Sequence, residues 1–268
     1  MEKISSLQNS RIKNIQKLAT KSRERKAQNL FIIEGARELS LALAGSYVMQ
    51  SVFLCPELFI KTDYPKVLDS VDEKNRFELT SDVFEKIAYR ETSDGILALA
   101  RPKEHGLKNL QLAKNPFVIV LESVEKPGNL GAILRTADAA GADAVIICDP
   151  LTDLYNPNVI RSSVGCIFTV PVAIASNVET LSFLKENRIQ SFAAELQASQ
   201  WYQDTNFTQS SAIIMGTEAD GLTSFWLDNA DARIKIPMRG MIDSLNVSVS
   251  TAILSFEAMR QRNFTVRG

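Results

Sequence analysis

The hydrophobic and polar positions of residues 116–268 alternate between short continuous apolar runs and longer segments with helical spacing. Continuous apolar runs are typical of strands that are covered on both faces, as in parallel sheets. We therefore expect an α/β fold with a parallel, doubly wound sheet of about six strands, whose ligands bind at the carboxyl ends of the strands. The predicted strands are 117–121, 145–148, 168–172, 190–193, 212–215 and 234–236, and the predicted helices are 130–140, 157–164, 178–186, 223–229 and 244–262.

Residues 1–103 show the same alternation on a smaller scale, which indicates a second α/β domain of about 100 residues. The polar stretch 104–115 has the composition of a linker. We therefore expect one domain at 1–103 and another at 116–268. In the first domain the predicted strands are 30–35, 47–54, 76–79 and 95–100, and the predicted helices are 8–26, 36–44, one within 61–76, and 81–88 with Ser81 as its cap.

Composition narrows the class of protein. The 268 residues are 45% hydrophobic and 23% charged, as in a soluble globular protein. No apolar run reaches the roughly 18 residues that span a bilayer, and the first residues lack the apolar core of a signal peptide. Cys55, Cys148 and Cys166 are widely spaced and form no CxxC pair, so neither a disulfide framework nor a metal site is expected. We expect a cytoplasmic protein that binds no membrane and no metal.

His105 is the only histidine, and it lies in the polar linker. A single solvated histidine does not favour Ser-His-Asp, Cys-His or histidine-metal chemistry. We therefore look for a reaction that needs no imidazole.

The net charge of -1 hides an excess of positive charge at the start of the chain. Residues 1–26 carry eight basic side chains against two acidic ones. A local excess of this kind favours a polyanionic partner, although a solvated helix face has the same composition.

The first candidate motif follows the predicted strand 117–121 and spans residues 122–137. It contains neither GxGxxG nor the Walker GxxxxGK[ST] pattern. Asn129 is a candidate helix cap, and Arg135 is expected to face solvent. An arginine here suits a phosphate or an oxyanion, and a surface ion pair is the alternative. The expected buried stripe of the helix is Leu130, Ile133, Leu134 and Ala137.

The second candidate motif, residues 213–222, follows the predicted strand 212–215. Gly216 comes directly after the strand, where the absence of a side chain lets a ligand approach the backbone. Glu218 either accepts from Arg135, orients a ligand or caps the next turn.

The third candidate motif joins a strand to the last helix. Pro237 cannot continue a central strand, and Asp243 and Ser244 are candidate caps of the helix that follows. The apolar positions that recur at helical spacing are Leu245, Val249, Ala252, Ile253, Phe256 and Met259.

In their order along the chain and in their residues, the three motifs together resemble those of the SpoU (TrmH-type) RNA ribose methyltransferases. The resemblance spans residues 116–262. Residues 9–43 are similar to the substrate-binding domain that precedes this catalytic domain in many rRNA-directed members. The matching positions are Asn129-x-Gly131-Ala132-x-x-Arg135-Thr136-Ala137, then Gly216-x-Glu218-x-x-Gly221-Leu222, then Ile236-Pro237-Met238-x-Gly240-x-x-x-Ser244-Leu245-Asn246-Val247-Ser248-Val249.

The resemblance implies a catalytic sheet tied into a deep trefoil knot, a rare exception to the absence of knots in proteins. It implies an amino-terminal RNA-binding domain like the ribosomal protein L30e, and a homodimer whose active sites are completed near the subunit interface. It also implies S-adenosyl-L-methionine as the cofactor, held mostly by backbone groups of Gly216, Ile236, Met238 and Leu245.

The implied reaction is 2′-O-methylation of the ribose of structured RNA, more in keeping with rRNA of the 23S type than with tRNA. In the family proposal Arg135 is a general base assisted by a substrate phosphate. Because arginine stays protonated in proteins, stabilisation of the oxyanion is the physically simpler role. The residues expected to position the ribose and the arginine are Asn129, Glu218, Ser244 and Asn246. The alternatives are a tRNA 2′-O-methyltransferase and a non-catalytic RNA-binding protein with the same fold.

Overall fold

The computed structural model of the protein describes residues 1–58, 64–89 and 93–264. The chain forms two compact units, of which the first consists of Met1–Lys103 with Asp153–Thr169 and the second of Glu104–Thr152 with Val170–Gly268. The predicted linker thus packs with the second unit. The segment Asp153–Thr169, which the predicted boundaries assign to the catalytic domain, packs with the first.

The first unit is built on a mixed five-stranded sheet with the order β1-β4-β3-β5-β2. Strands β1, β4 and β3 are parallel, and β5 is antiparallel to both of its neighbours. One face of the sheet packs against helices whose apolar residues recur at helical spacing, such as Ile12, Ile15 and Leu18, which are fully buried. The elements are β1 Glu2–Ile4, α1 Ser10–Thr20, α2 Ser22–Gln28, β2 Phe31–Glu34, α3 Ala36–Ala44, β3 Met49–Leu54, α4 Tyr64–Asp69, β4 Arg76–Leu79, α5 Ser81–Ile87 and β5 Ile96–Ala100.

Two expectations for the first unit need correction, and one strand was not expected. The predicted helix 8–26 is two helices, because Lys21 between them has an extended backbone. Strand β1 was not predicted. Helix α5 is capped by the backbone position of Thr80, and Ser81 is already helical. The helix expected within 61–76 is confirmed as α4, and residues 59–63 lie outside the described ranges.

The second unit is built on a seven-stranded sheet with the order β10-β12-β9-β11-β6-β7-β8. Every pair of neighbouring strands in it is parallel, which confirms the predicted parallel α/β sheet. The remaining elements of the chain are β6 Phe117–Glu122, α6 Pro127–Ala140, β7 Ala144–Cys148, α7 Pro157–Ser162, β8 Val172–Ala175, α8 Asn177–Glu186, β9 Gln190–Ala194, β10 Gln200–Trp201, β11 Ser211–Met215, α9 Ser224–Asn229, β12 Ala232–Lys235 and α10 Val247–Gln261.

The predicted strand 168–172 is wrong. Residues Cys166–Phe168 form a single 3₁₀ turn, and the strand begins later, at Val172. Phe168 is apolar because it packs edge-on against Tyr47, with ring centroids 5.0 Å apart, and stacks on Phe31. Its burial therefore comes from an aromatic cluster and not from a strand ladder.

Arg25 is a buried cation that holds the segment 153–169 to the rest of the first unit. Its Nε donates to Asp153 Oδ2 at 2.6 Å, and one of its terminal nitrogens donates to the carbonyl of Leu18 at 2.6 Å. Only 5% of the Arg25 side chain is exposed. One of the eight basic residues counted at the start of the chain is therefore not available to a polyanion.

Helix α10 carries apolar residues on two sides. Two positions of the predicted stripe, Val249 and Phe256, are 46% and 44% exposed, and Ala252 and Ile253 are only half-buried. Met259 is buried, and the sequence left open whether the other apolar positions pack on this sheet or on a second copy. The residues that it buries are Val247, Thr251, Leu254, Ser255, Ala258 and Met259.

The chain after α10 is held by Arg262, which the sequence did not single out. Its guanidinium donates to the carbonyls of Phe207 and Asn115 at 2.8 and 2.9 Å and lies over the ring of Phe117. In the described ranges no helix is both long enough and apolar enough to cross a bilayer.

Candidate active site

The carboxylate of Glu218 is the point at which the three sequence motifs meet. It accepts hydrogen bonds from Asn129 Nδ2 at 2.9 Å, from Asn246 Nδ2 and from Lys126 Nζ. Asn246 Nδ2 also donates to Asn129 Oδ1 at 3.2 Å. We call these four side chains the Glu218 cluster.

The parallel pairing of β6 with β11 brings the first two motifs together. Neighbouring parallel strands end at the same edge of the sheet, so the loops that follow them leave side by side. Helix α6 begins at Pro127, which suits the first helical position because proline has no amide hydrogen to leave unpaired. Asn129 therefore lies inside the first turn of α6, and the expectation that it caps this helix is wrong.

Asn246 performs two tasks with one side chain. Its Oδ1 accepts from the backbone nitrogen and the hydroxyl of Ser248, at 2.9 and 2.6 Å, and so caps α10. Its Nδ2 faces the other way, into the Glu218 cluster. The predicted caps Asp243 and Ser244 precede the helix and do not cap it.

Hydrogen bonds from Lys126 and Asn129 lower the pKa of Glu218 below its ordinary value. The carboxyl group is therefore ionised at neutral pH and acts as an acceptor that orients its donors. Of the three roles considered for Glu218, acceptance from Arg135 is not observed, because the donors are Lys126, Asn129 and Asn246. Lys126 was missed by sequence reasoning, although it stands inside the first motif, because its partner is distant in sequence.

Arg135 lies apart from the Glu218 cluster. It is on the exposed side of α6, as predicted, and the stripe Leu130, Ile133, Leu134 and Ala137 behind it is buried. Within the described part of the chain Arg135 has no hydrogen bond or ion pair, and it lines neither of the two cavities beside Glu218.

A cavity of about 510 Å³ opens beside the cluster at the carboxyl edge of the sheet. This volume is in the range of pockets that bind small molecules and cofactors. Ser244 faces this cavity and donates to Asp243 Oδ1 at 3.1 Å, outside the hydrogen bonds of the cluster. The predicted site residues that line the cavity are Gly216, Ile236, Met238, Leu245, Ser244 and Glu218.

Gly216 is required by close packing of the backbone. A Cβ atom at this position would overlap the backbone of Gly221 and Leu222. The loop returns on itself there, since the amide of Thr217 donates to the carbonyl of Gly221 at 2.9 Å. Gly221 in turn has a φ of 69°, which favours glycine. One wall of the cavity is therefore backbone.

The side chains of the described residues contain no cluster of His, Cys, Asp or Glu that could hold a metal ion. The cavity is instead lined on its polar side by carboxylates, with Lys235 as a basic residue among them. The acidic side chains at the cavity are Glu195, Glu218, Asp220 and Asp243.

Comparison with known proteins finds family models that match both parts of the chain. The model of the SpoU rRNA Methylase family matches residues 116–256, and that of the MRM3-like substrate binding domain matches residues 9–98. The 23S rRNA (guanosine(2553)-2′-O)-methyltransferase RlmP of Bacillus subtilis is 32% identical over 256 residues, which cover 96% of this chain and 98% of that protein. The 23S rRNA (guanosine-2′-O-)-methyltransferase RlmB of Escherichia coli K12 is 35% identical over 175 residues, covering 63% and 72%.

Solved structures match as well. The crystal structure of an RNA 2′-O ribose methyltransferase is 37% identical and covers 97% of this chain and 99% of its own, with a TM-score of 0.84. The AdoMet-bound rRNA methyltransferase of Sinorhizobium meliloti is 26% identical and covers 97% of each chain, with a TM-score of 0.86. The tRNA-modifying TrmH/SpoU enzyme of A. aeolicus is 28% identical and covers 57% of this chain and 78% of its own, with a TM-score of 0.50.

The resemblance of the three motifs is thereby confirmed. The family model covers more than half of the chain, and relatives match nearly its full length. The chain therefore belongs to the SpoU rRNA methylase family of RNA 2′-O-methyltransferases.

Proposed function

We propose that the protein transfers a methyl group from S-adenosylmethionine to the ribose 2′-hydroxyl of a guanosine in 23S rRNA. The observation that carries the proposal is the meeting of three separate motifs at Glu218, directly beside a cavity of cofactor size. The relatives RlmP and RlmB are both named as guanosine 2′-O-methyltransferases of 23S rRNA, and RlmP matches along nearly the whole chain. An rRNA substrate also supports a cytoplasmic location.

Two other functions are less well supported. The tRNA-modifying enzyme of A. aeolicus covers only 57% of this chain, whereas the rRNA methyltransferase of S. meliloti covers 97%. A non-catalytic RNA-binding protein would have no need to keep Asn129, Glu218 and Asn246 in mutual hydrogen bonds. Both features favour an rRNA methyltransferase.

The cavity fits S-adenosylmethionine. Backbone at Gly216 forms one wall, and Ile236, Met238 and Leu245 offer apolar contact together with backbone donors and acceptors. The carboxylates around the cavity suit a ligand that carries a sulfonium and an ammonium group. When bound, S-adenosylmethionine supplies an electrophilic methyl group.

The residues around the cavity have separate proposed roles. Glu218, ionised and fixed by its donors, orients the amide groups of Asn129 and Asn246 toward the ribose. Ser244, at the cavity wall, binds near the transferred group. Lys126 and Arg135 attract the RNA phosphates, and Arg135 stabilises negative charge on the 2′-oxygen, since arginine side chains stay protonated. Alignment of the reacting atoms by such groups can lower the barrier by about 7–11 kcal/mol.

We also propose that the protein is a homodimer. One face of α10 carries apolar side chains at helical spacing and is only partly covered in the single chain, since Val249 and Phe256 are exposed and Ala252 and Ile253 half-buried. Isologous contact with a second copy would bury it. Arg135 is exposed and forms no hydrogen bond or ion pair with the residues that the structure describes, so its proposed role fits a site that is completed across the subunit interface.

The trefoil knot and the L30e-like fold of the first unit belong to the same proposal. The knot is supported by the return of the segment between β12 and α10 to the loops that follow β6 and β11, where Asn246 donates to Asn129 and Glu218. The L30e-like fold is supported by the match to a substrate binding domain over residues 9–98.

Methyl transfer to 23S rRNA tests the proposed function. Tritiated S-adenosylmethionine is incubated with 23S rRNA, 16S rRNA and tRNA isolated from cells that lack the gene, and 2′-O-methyl sites are mapped by resistance to alkaline hydrolysis. We expect one guanosine of 23S rRNA to be labelled. Glu218→Gln should lower kcat on the order of 100-fold, because the misplacement of reacting groups is costly.

Asp228→Asn is the control for this substitution, since Asp228 is 71% exposed and lies outside the cluster. Labelling of tRNA in place of rRNA would support the tRNA enzyme. Binding of rRNA without any transfer would support the non-catalytic protein.

Gly216→Ala should weaken binding of S-adenosylmethionine about tenfold or more, since a methyl group pressed into packed backbone costs about 1–3 kcal/mol. Isothermal titration calorimetry measures the effect. Gly128→Ala is the matched control, because a Cβ at Gly128 meets nothing within 4 Å. An unchanged dissociation constant in folded Gly216→Ala would show that the cofactor does not lie against this loop.

Phe256→Glu should convert the dimer to a monomer, because it places a charge on the proposed apolar interface. Multi-angle light scattering measures the mass, and Val178→Glu, at an apolar position of α8 that is 63% exposed, is the control.

Co-expression of Arg135→Ala with Glu218→Gln should give mixed dimers that regain methyl transfer. Mixed dimers without activity would place Arg135 in the site of its own chain.

The basic helices α1 and α2 are expected to bind RNA phosphates through Lys13, Lys17 and Lys21, which are exposed. Replacing all three by Ala should weaken rRNA binding and reduce the slope of log K against log salt by roughly 0.7–0.9 for each phosphate that is no longer bound. Filter binding at several salt concentrations measures this. Alanine at the exposed Lys108, Lys114 and Lys185 is the control, and equal slopes for both triple variants would contradict the assignment.

A further inference from the structure

Glu122 is a buried carboxylate that the proposed mechanism does not use. It is the last residue of β6 and is 1% exposed. Its Oε1 accepts from Asn177 Nδ2 and from Thr223 Oγ1, both at 2.7 Å, and its Oε2 accepts from the backbone nitrogen of Thr223 at 2.8 Å. No lysine or arginine of the described chain forms an ion pair with it.

Burial of a carboxylate among neutral donors is costly unless every acceptor position is used. Here both oxygens are used, and two of the three hydrogen bonds go to one residue, Thr223. This residue follows the loop 216–222 that carries Glu218. The contact therefore links the second motif to the first residue of the first motif.

The loop 216–222 is held at both ends by consecutive residues of β6. Upstream, Met215 pairs with Leu121 in the parallel ladder. Downstream, Thr223 is bound by Glu122. Between these two anchors the loop is closed by the hydrogen bond from Thr217 to Gly221. The Glu218 side chain has little freedom as long as both anchors hold.

We infer that Glu122 is a positioning residue of the methyltransferase, which fixes the loop 216–222 so that Glu218 meets Asn129 and Asn246. The inference rests on the role proposed for the Glu218 cluster. It assigns to Glu122 no contact with RNA or cofactor. The carboxylate acts through Thr223 alone.

The two anchors of the loop have different consequences for kinetics. Gly216, at the wall of the cofactor cavity, follows directly from the ladder pairing of Met215 and does not depend on Glu122. Glu218 lies between the anchors and depends on both. Removal of the hydrogen bonds to Glu122 should therefore lower kcat while it leaves the affinity for S-adenosylmethionine nearly unchanged.

Glu122→Gln tests the inference with little change in volume. The amide of glutamine has one oxygen, so either the Thr223 amide or Asn177 Nδ2 is left facing a donor. Asn177 cannot turn over to compensate, because its Oδ1 accepts from Trp226 Nε1 at 2.7 Å. Thr223→Val is a milder variant, which removes only the hydroxyl donor.

Trp226→Phe is the matched control for the same hydrogen-bond network. It removes the hydrogen bond from Trp226 Nε1 to Asn177 at the far end of the network and keeps the donors of Thr223 to Glu122. Its effect on kcat therefore measures the general loss of stability. Kinetics of rRNA methylation, calorimetric binding of S-adenosylmethionine and urea denaturation are measured for all variants, with Glu218→Gln as the reference for disruption of the cluster.

We expect kcat to fall about tenfold or more in Glu122→Gln and less in Thr223→Val, with the cofactor dissociation constant within about threefold of wild type. Trp226→Phe should keep kcat within about twofold while it lowers the urea midpoint. The inference is overturned if Glu122→Gln and Thr223→Val lower kcat no more than Trp226→Phe does. If Glu122→Gln does not fold, the comparison of kcat between Thr223→Val and Trp226→Phe tests the inference.

The reference variant separates the positioning role from the proposed function. If Glu218→Gln itself keeps full activity, the cluster has no catalytic role and the proposed mechanism fails. If Glu218→Gln is impaired while Glu122→Gln is not, only the positioning role of Glu122 fails.

Discussion

The parallel pairing of β6 with β11 is the constraint on which the rest of the site depends. These strands are distant in sequence, yet their ladder aligns Leu121 with Met215, so both chains leave the sheet at one level. The turn into α6 and the turn at Gly216 are consequences of that alignment. A shift of this ladder by one residue would turn every side chain of the strand to the other face and separate Asn129 from Glu218.

The strands of the catalytic sheet could be predicted because short, continuous apolar runs are characteristic of strands buried on both faces. Where the prediction failed, a tertiary contact decided the outcome. Phe168 is buried in an aromatic cluster with Phe31 and Tyr47 and not in a strand. Helix α10 has apolar residues on two sides, and sequence alone cannot tell which one faces the sheet. Among several capping residues in a row, Asn246 is the cap, because the same side chain is also held by Glu218 and Asn129.

The residues of the candidate site could be predicted from the sequence only where they belong to a recognisable motif. Asn129, Glu218 and Asn246 come together, whereas Arg135 lies on the exposed side of α6 and Ser244 faces the cavity. Lys126 and Glu122 were not given roles from the sequence. Their partners, Glu218 and Thr223, lie about one hundred residues away, and no local pattern reports a hydrogen bond over that separation.

The side chain of Asn246 forms hydrogen bonds at both ends of its amide group. It therefore links the folding of the last helix to the assembly of the site. The side chain that starts the last helix is also the third member of the hydrogen-bonded cluster. A chain in which this helix has not yet docked lacks one of the donors to the Glu218 carboxylate. The Glu218 cluster is therefore complete only when the last helix of the chain has formed and docked.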